Sequence, residues 1–161
     1  MPDIFSKRKR SAVMAAVRSR GNRSTELRLI ALMRTHGITG WRRGSKLTGR
    51  PDFIFPRSTG SGLRRAKPLA VFVDGCFWHG CPKHGTSPKT NASFWLAKIT
   101  GNKARDRRVN RLLRAKGWKV LRVWEHELPP TLGASARQGA REKERRLLRR
   151  LSTHLDLGRG A

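Results

Sequence analysis

The stretch Val71-Phe-Val-Asp-Gly-Cys-Phe-Trp-His-Gly-Cys-Pro-Lys-His84 carries one carboxylate, both cysteines of the chain, two of its five histidines and a Phe-Trp pair. An apolar run leads into it. Ala70 to Val73 predict a short strand buried on both faces, which delivers Asp74 and the residues after it to the rim of a sheet. Downstream, the spacing of Phe94, Ala97, Ile99, Val109, Leu112 and Leu113 predicts a helix from about Asn91 to Lys116, with Gly101 as a possible interruption and Gly117 as its stop. Trp118 to Trp124 alternates as a strand and runs into Glu125-His126-Glu127, and Trp118 and Trp124 are expected in the core. Upstream lie two further expected strands, Ile38 to Arg43 and Asp52 to Phe55, the latter bounded by Pro51 and Pro56. Between the second of these and the opening stretch, Arg57 to Lys67 is a long polar connection, expected to be mobile.

Two helices come before those strands. Lys7 to Arg20 is a basic helix with a narrow apolar stripe of Val13, Met14 and Val17, able to lie along a phosphate backbone or to be a solvated charged face. The next begins at a cap of Asn22 or Ser24 and runs through Leu27, Leu29, Ile30, Leu32 and Met33 to Gly37. Beyond Pro129-Pro130, a basic helix from about Ala136 to Leu155 docks through Leu147, Leu148, Leu151 and Leu155. The sum is an α/β domain, a small central mixed sheet flanked by helices.

The composition narrows the partner. A formal charge of +27, from 37 Lys and Arg against 10 Asp and Glu in 161 residues, calls for a polyanion, and nucleic acid fits it best. No run of about 18 apolar residues exists to span a bilayer, and the amino terminus lacks a basic region followed by an apolar one. A cytoplasmic, nucleoid-associated location is therefore expected, where thiols stay reduced and the two cysteines serve a metal or packing.

Cys76, Cys81 and His84, joined by His126 from the end of a neighbouring strand, form a set suited to tetrahedral zinc; two buried thiols beside surface histidines is the competing reading. Asp52 and Asp74 stand at strand ends as hard oxygen ligands for magnesium, and Arg50 should lower the pKa of Asp52. His79 lies between the zinc ligands, which leaves its imidazole available as a base. Glu26 suits the first turn of a helix, and Asp106 suits an ion pair with Arg105 or contact with Asn110; neither needs a chemical role on pattern alone.

Taken in order, Arg23-Ser-Thr-Glu26-Leu, Gly49-Arg-Pro-Asp52-Phe, Val73-Asp-Gly-Cys-Phe-Trp-His79, Phe94-Trp95-Leu-Ala-Lys-Ile99, Arg105-Asp106-Arg-Arg108 and Gly117-Trp-Lys-Val-Leu-Arg-Val-Trp-Glu125 resemble the very short patch repair (Vsr) mismatch endonucleases. The likeness covers roughly Ser11 to Leu128. It implies a fold related to the PD-(D/E)xK restriction endonucleases and nicking of one strand of duplex DNA beside the thymine of a T:G mismatch. By position it implies Asp52 and the main-chain carbonyl of Val73 as magnesium ligands and His79 as the general base. Glu26 and Asp106 become carboxylates that hold metal waters or orient catalytic groups, and Phe77, Trp78 and Trp95 become wedges in the base stack. Met14, Arg18, Arg50 and Lys98 are expected on the DNA. The lysine that the restriction-enzyme pattern places two residues after its second acid is Cys76 here, so its role passes to His79; the role of Asp74 stays open.

The resemblance also implies residues 1–128 as the endonuclease domain with 129–161 as an extension packed on it, a monomer, and a functional link to a cytosine-5 methyltransferase. A noncatalytic, zinc-stabilised basic DNA-binding module is the alternative.

Overall fold

A computed structural model describes residues 25–57, 67–86, 88–130 and 138–155. The expected basic helix with Met14 and Arg18, the caps Asn22 and Ser24, and most of the 57–67 connection lie outside them. In order the elements are α1 (Glu26–Thr35), β1 (Phe53–Phe55), β2 (Leu69–Asp74), α2 (Ala92–Ala115), β3 (Lys119–Trp124), a single 3-10 turn (Glu125–Glu127) and α3 (Gln138–Leu155).

The three strands form one mixed sheet in the order β1-β2-β3, as the α/β reading expected. β1 runs antiparallel to β2, with Phe53 opposite Val71. β2 and β3 are parallel, with Phe72 opposite Arg122 and Asp74 opposite Trp124, so α2 serves as the crossover that a parallel pair needs. One rim of the sheet therefore collects the start of β1 and the ends of β2 and β3. Asp52, Asp74 and Glu125 arrive there from three separate stretches of chain.

Alternation sorts the side chains between two cores. Leu69, Val71, Leu121 and Val123 face Leu29 and Met33 of α1 and Leu147, Leu151 and Leu155 of α3. Ala70 and Phe72 face Val109 and Leu113 of α2, with Leu47, Trp118 and Val120 packed against them. Even-numbered residues of β2 and β3 thus look toward α2, and this parity puts Asp74 and Arg122 on the α2 side of the sheet.

Several expectations are corrected. Ile38 to Arg43 is not a strand: Arg42 alone bridges to Ile54, because Gly40 and Gly44 take positive φ on either side and turn the chain out of the extended form. Gly101 does not interrupt α2, which is continuous through it. Phe94 and Leu112 are exposed, at 61% and 39%, whereas Trp95 is buried. Along α2 the covered row runs Trp95, Ile99, Asn102, Asp106, Val109 and Leu113, steps of three and four that keep one face on the sheet. Trp118 and Trp124 are only half-buried. Leu147, Leu151 and Leu155 dock α3 as expected, with Leu148 at the margin.

Candidate active site and metal centre

At the rim, the chain encloses an open cleft of about 940 Å³ whose lining includes Glu26, Asp52, Asp74, His79, Asp106 and Arg122. The sequence predicted the first five; it did not single out Arg122. Among the other lining residues are Arg50, Val73, Phe77, Trp78, Arg105 and Glu125. Residues separated by up to about a hundred positions are brought into one concavity.

Asp52 sits one residue before β1, and its Oδ2 accepts the backbone N–H of Val73 at 2.7 Å. Its pKa is pushed up to about 6, first by burial and then by the negative charges of Glu26 and Asp74, against the lowering effect of the Val73 hydrogen bond. This reverses the expectation that Arg50 would lower it. Arg50 lines the same cleft, but burial dominates, and Arg122 is a cation that does lower the Asp52 pKa. The approach to Asp52 depends on Gly49, which has φ of 80° and lies so close to Val109 of α2 that a Cβ there would overlap its side chain. Only glycine meets both conditions without displacing the turn.

Glu26, the first residue of α1, is buried and ion-paired with Arg43. A dipole role at a helix start does not by itself account for a carboxylate 5% exposed that also borders the cleft. Asp74, 3% exposed, accepts the Arg122 Nε–H at 2.7 Å, and its Oδ1 is 3.7 Å from His79 Nδ1. Burial pushes its pKa up, opposed by Arg122 and His79.

His79 donates from Nδ1 to Asp106 Oδ2 at 2.6 Å. Asp106 Oδ1 is 3.0 Å from Arg122 Nη2 and 3.9 Å from Arg105 Nη2. The expected pairing with Arg105 is thus the outer contact, and His79 and Arg122 are the close ones. Burial pushes Asp106 up, but the His79 hydrogen bond and the Arg122 charge together outweigh it and hold this carboxyl below its ordinary value. The loop that presents His79 is wound by its own backbone, with His79 N–H on Gly75 O and Cys81 N–H on Cys76 O. Asn102 of α2 ties the loop down by donating to Trp78 O at 2.8 Å.

Beside the cleft lies an aromatic cluster. Phe77 meets Trp78 and Trp95 edge-on at 5.2 Å, and Trp95 meets Phe94 at the same centroid distance. Phe77 and Trp78 are half-buried, and Trp95 is covered, so the expectation that all three rings project as wedges holds less well for Trp95. Phe94, which the sequence reading assigned to the interior, is the ring on display. Lys98, Arg105, Arg107 and Arg108 are exposed along α2.

On the other side of the His79 loop, the ligand atoms of Cys76, Cys81, His84 and His126 all lie within 4.8 Å of one another. Cys76 Sγ is 3.2 Å and Cys81 Sγ 3.6 Å from His126 Nδ1, and neither cysteine is in a disulfide. Tetrahedral zinc with two sulfur and two nitrogen ligands sets ligand-to-ligand separations of roughly 3.3–3.8 Å, so this donor set fits the ion in chemistry, while its spacing, with Cys81 Sγ 4.0 Å from His84 Nδ1, is looser than a bound ion would hold it. Burial raises the pKa of Cys76 and lowers that of His126, which disfavours ionised thiolate and imidazolium alike.

A family model described as DNA mismatch endonuclease Vsr matches residues 2–84. The chain belongs to the Vsr family. The E. coli (strain K12) DNA mismatch endonuclease Vsr is 36% identical over 127 residues, covering 78% of this chain and 74% of that protein. The Xanthomonas oryzae pv. oryzae type II nicking enzyme V.XorIIP is 37% identical over 130 residues, 80% of this chain and 88% of that one. A stronger local likeness, 48% over 86 residues, links it to the Lentzea aerocolonigenes type II nicking enzyme V.NaeI, of which it spans 46%. Vsr membership puts the chain among DNA endonucleases with a restriction-endonuclease-like α/β fold. Among the described residues, no helix is long and apolar enough to cross a membrane.

Proposed function

We propose that this chain nicks one strand of duplex DNA beside the thymine of a T:G mismatch, with magnesium at Asp52 and structural zinc at the Cys76, Cys81, His84, His126 cluster. The observation that carries the reading is the meeting of Asp52 and of the Asp106–His79 pair in one cleft.

With Nδ1 committed to Asp106, His79 keeps Nε2 as its proton acceptor, and the carboxylate fixes both tautomer and ring orientation. Nε2 then takes the proton from the water that attacks the phosphorus. Asp52 fits a hard divalent cation because it is a half-buried carboxylate whose near neighbours Glu26 and Asp74 are also acidic. Asp52 and the Val73 carbonyl would hold magnesium, which would supply positive charge against the negative charge that builds on the phosphate oxygens. Phe77 and Trp78 stand at the edge of the cleft, and rings in that position enter a base stack most cheaply where pairing is already weak, which favours a mismatch over a paired site. The exposed basic side of α2, including Lys98, supplies phosphate contacts, and the +27 charge makes binding steep in salt. A T:G mismatch is what deamination of 5-methylcytosine leaves, which supports a functional link to a cytosine-5 methyltransferase and a place in the cytoplasm.

The test is a panel of end-labelled duplexes with each mismatch and a paired control, incubated with the full chain and magnesium. Nicking confined to the T:G duplex, on the thymine strand, is expected. Equal cleavage of the paired duplex removes the mismatch assignment. Binding without cleavage of any duplex favours a noncatalytic DNA-binding module.

A further inference from the structure

We infer that Arg122 is a positioning residue of the endonuclease centre, a guanidinium clamp that holds Asp106 against His79 and ties Asp74 into the same unit. The inference rests on the nuclease reading for its kinetic consequence and on geometry alone for its structural one.

Arg122 interrupts an apolar strand, between Leu121 and Val123, and alternation turns it away from their core toward α2. There it meets three partners at once. Its Nε donates to Asp74 Oδ2 at 2.7 Å, its Nη2 is 3.0 Å from Asp106 Oδ1, and its Cζ lies 4.7 Å from the centroid of the Phe72 ring. Phe72 is also its register partner across the parallel pair, so the sheet itself sets the stacking. Asp74 Oδ1 and Asp106 Oδ2 are the two carboxylate oxygens near His79 Nδ1, at 3.7 and 2.6 Å. In each carboxylate one oxygen meets Arg122 and the other meets the imidazole. The guanidinium is thus the back of a ring whose front is His79.

Lysine would replace it only in part. A planar fork with donors in two directions can bridge carboxylates from β2 and α2 and stack on an aromatic face, whereas an ammonium on a flexible stem meets one acceptor well. The clamp is anchored from behind by α3: Arg150 Nη2 donates to the Arg122 carbonyl at 2.7 Å, and Arg150 Nη1 pairs with Glu127 at 2.6 Å. This gives the carboxy-terminal helix a mechanical connection to the cleft through the backbone of β3.

The experiment compares the full chain with Arg122→Met, Arg122→Lys and the double variant Asp74→Asn/Arg122→Met. It reads single-turnover nicking of the T:G duplex, the Kd for that duplex, the melting temperature, and the downfield proton resonance of the His79 imidazole N–H. Asp106→Asn assigns that resonance. Arg122→Met is expected to slow nicking about 100-fold, the loss typical of a small misplacement of a reacting group, with Kd changed by less than about twofold. Arg122→Lys should recover part of the rate, and the His79 resonance should move or broaden in Arg122→Met. In the double variant no carboxylate is stranded at position 74, and the rate should stay low. Full rate there would show that Arg122 merely balanced the charge of Asp74, and would overturn the proposal, as would an unchanged His79 resonance in Arg122→Met. If the wild type nicks no duplex, the nuclease reading fails, while the resonance still decides whether Arg122 positions His79.

Discussion

Asp52 and Asp74 occupy the same rim, one strand apart, and the protein treats them in opposite ways. Asp74 is met directly by Arg122 and approached by His79, so its charge is answered by the chain's own cations. Asp52 receives one backbone N–H, is repelled by Glu26 and Asp74, and has its pKa pushed up to about 6; burial pushes Asp74 up as well, so the two differ in their side-chain partners. A carboxylate with no side-chain cation in contact is open to an outside cation, and a carboxylate already paired is suited to hold other side chains still. Under the proposed function, the contrast supports cation binding at the Asp52 edge and alignment of His79 at the Asp74 edge.

The largest expected effect follows from that division. Asp52→Asn should cut nicking by about 1,000-fold or more, since a bound metal supplies several kcal/mol of transition-state stabilisation and each 1.36 kcal/mol is tenfold. Asp74→Asn should cost only about tenfold, because Asp106 still holds His79. Single-turnover assays on one T:G duplex measure both, and equal losses would erase the contrast. Stability should separate the two edges next. Arg122→Met strips the buried Asp74 of its close cation and Asp106 of one of two, and should cost about 3 kcal/mol in urea unfolding, since breaking a largely buried pair leaves an uncompensated charge. Adding Asp74→Asn should return part of it.

Which parts of this were legible in the sequence depends on how local the signal is. β2 and β3, the long α2 and the Leu147, Leu151, Leu155 stripe are written in periodicity, and the structure has them within a few residues of the expected bounds. Ile38 to Arg43 misled because apolar and aromatic residues read as strand while the flanking glycines, at positive φ, decide the backbone. The metal-type cluster was legible because Cys76, Cys81 and His84 are close in sequence, and His126 needed only a parallel neighbour strand. Arg122 was not legible as part of the site. Its meaning depends on lying opposite Phe72 and beneath Asp106, which are register and packing facts, although a lone arginine among Val-Leu and Val-Trp was a visible irregularity. Asp106 was reached through the family resemblance; pattern alone read it as an ion pair, because counting Phe94 and Leu112 as buried obscured the row through Asp106, Val109 and Leu113.

A pH series sharpens the comparison further. A carboxyl whose folded pKa is about 6, against 3.8 in the unfolded chain, contributes stability that is fully present below pH 3.8 and lost as pH rises through 6. Asp52→Asn cannot ionise and escapes that loss. In metal-free buffer the variant should match the wild type near pH 4 and exceed it by roughly 2 kcal/mol at pH 8, at 1.36 kcal/mol per unit with a discount for partial exposure. The catalytic edge of the rim would then be the one that costs the fold stability. A variant no more stable than the wild type at pH 8 would mean that Asp52 is already compensated, and the case for an outside cation there would weaken.

Magnesium itself gives the smallest effect and the most selective one. A ligand that binds the folded state alone stabilises by RT ln(1 + [L]/Kd), about 1.4 kcal/mol at ten times Kd. Wild type and Asp74→Asn should both gain this shift in thermal unfolding on adding magnesium, and Asp52→Asn should gain none. The comparison with Asp74→Asn is the informative one, since its Oδ2 is occupied by Arg122 and its Oδ1 faces His79, leaving no oxygen turned to a second task unless the clamp opens. Loss of the magnesium shift in both aspartate variants would make them joint ligands, and Arg122 would have to release Asp74 whenever the cation enters.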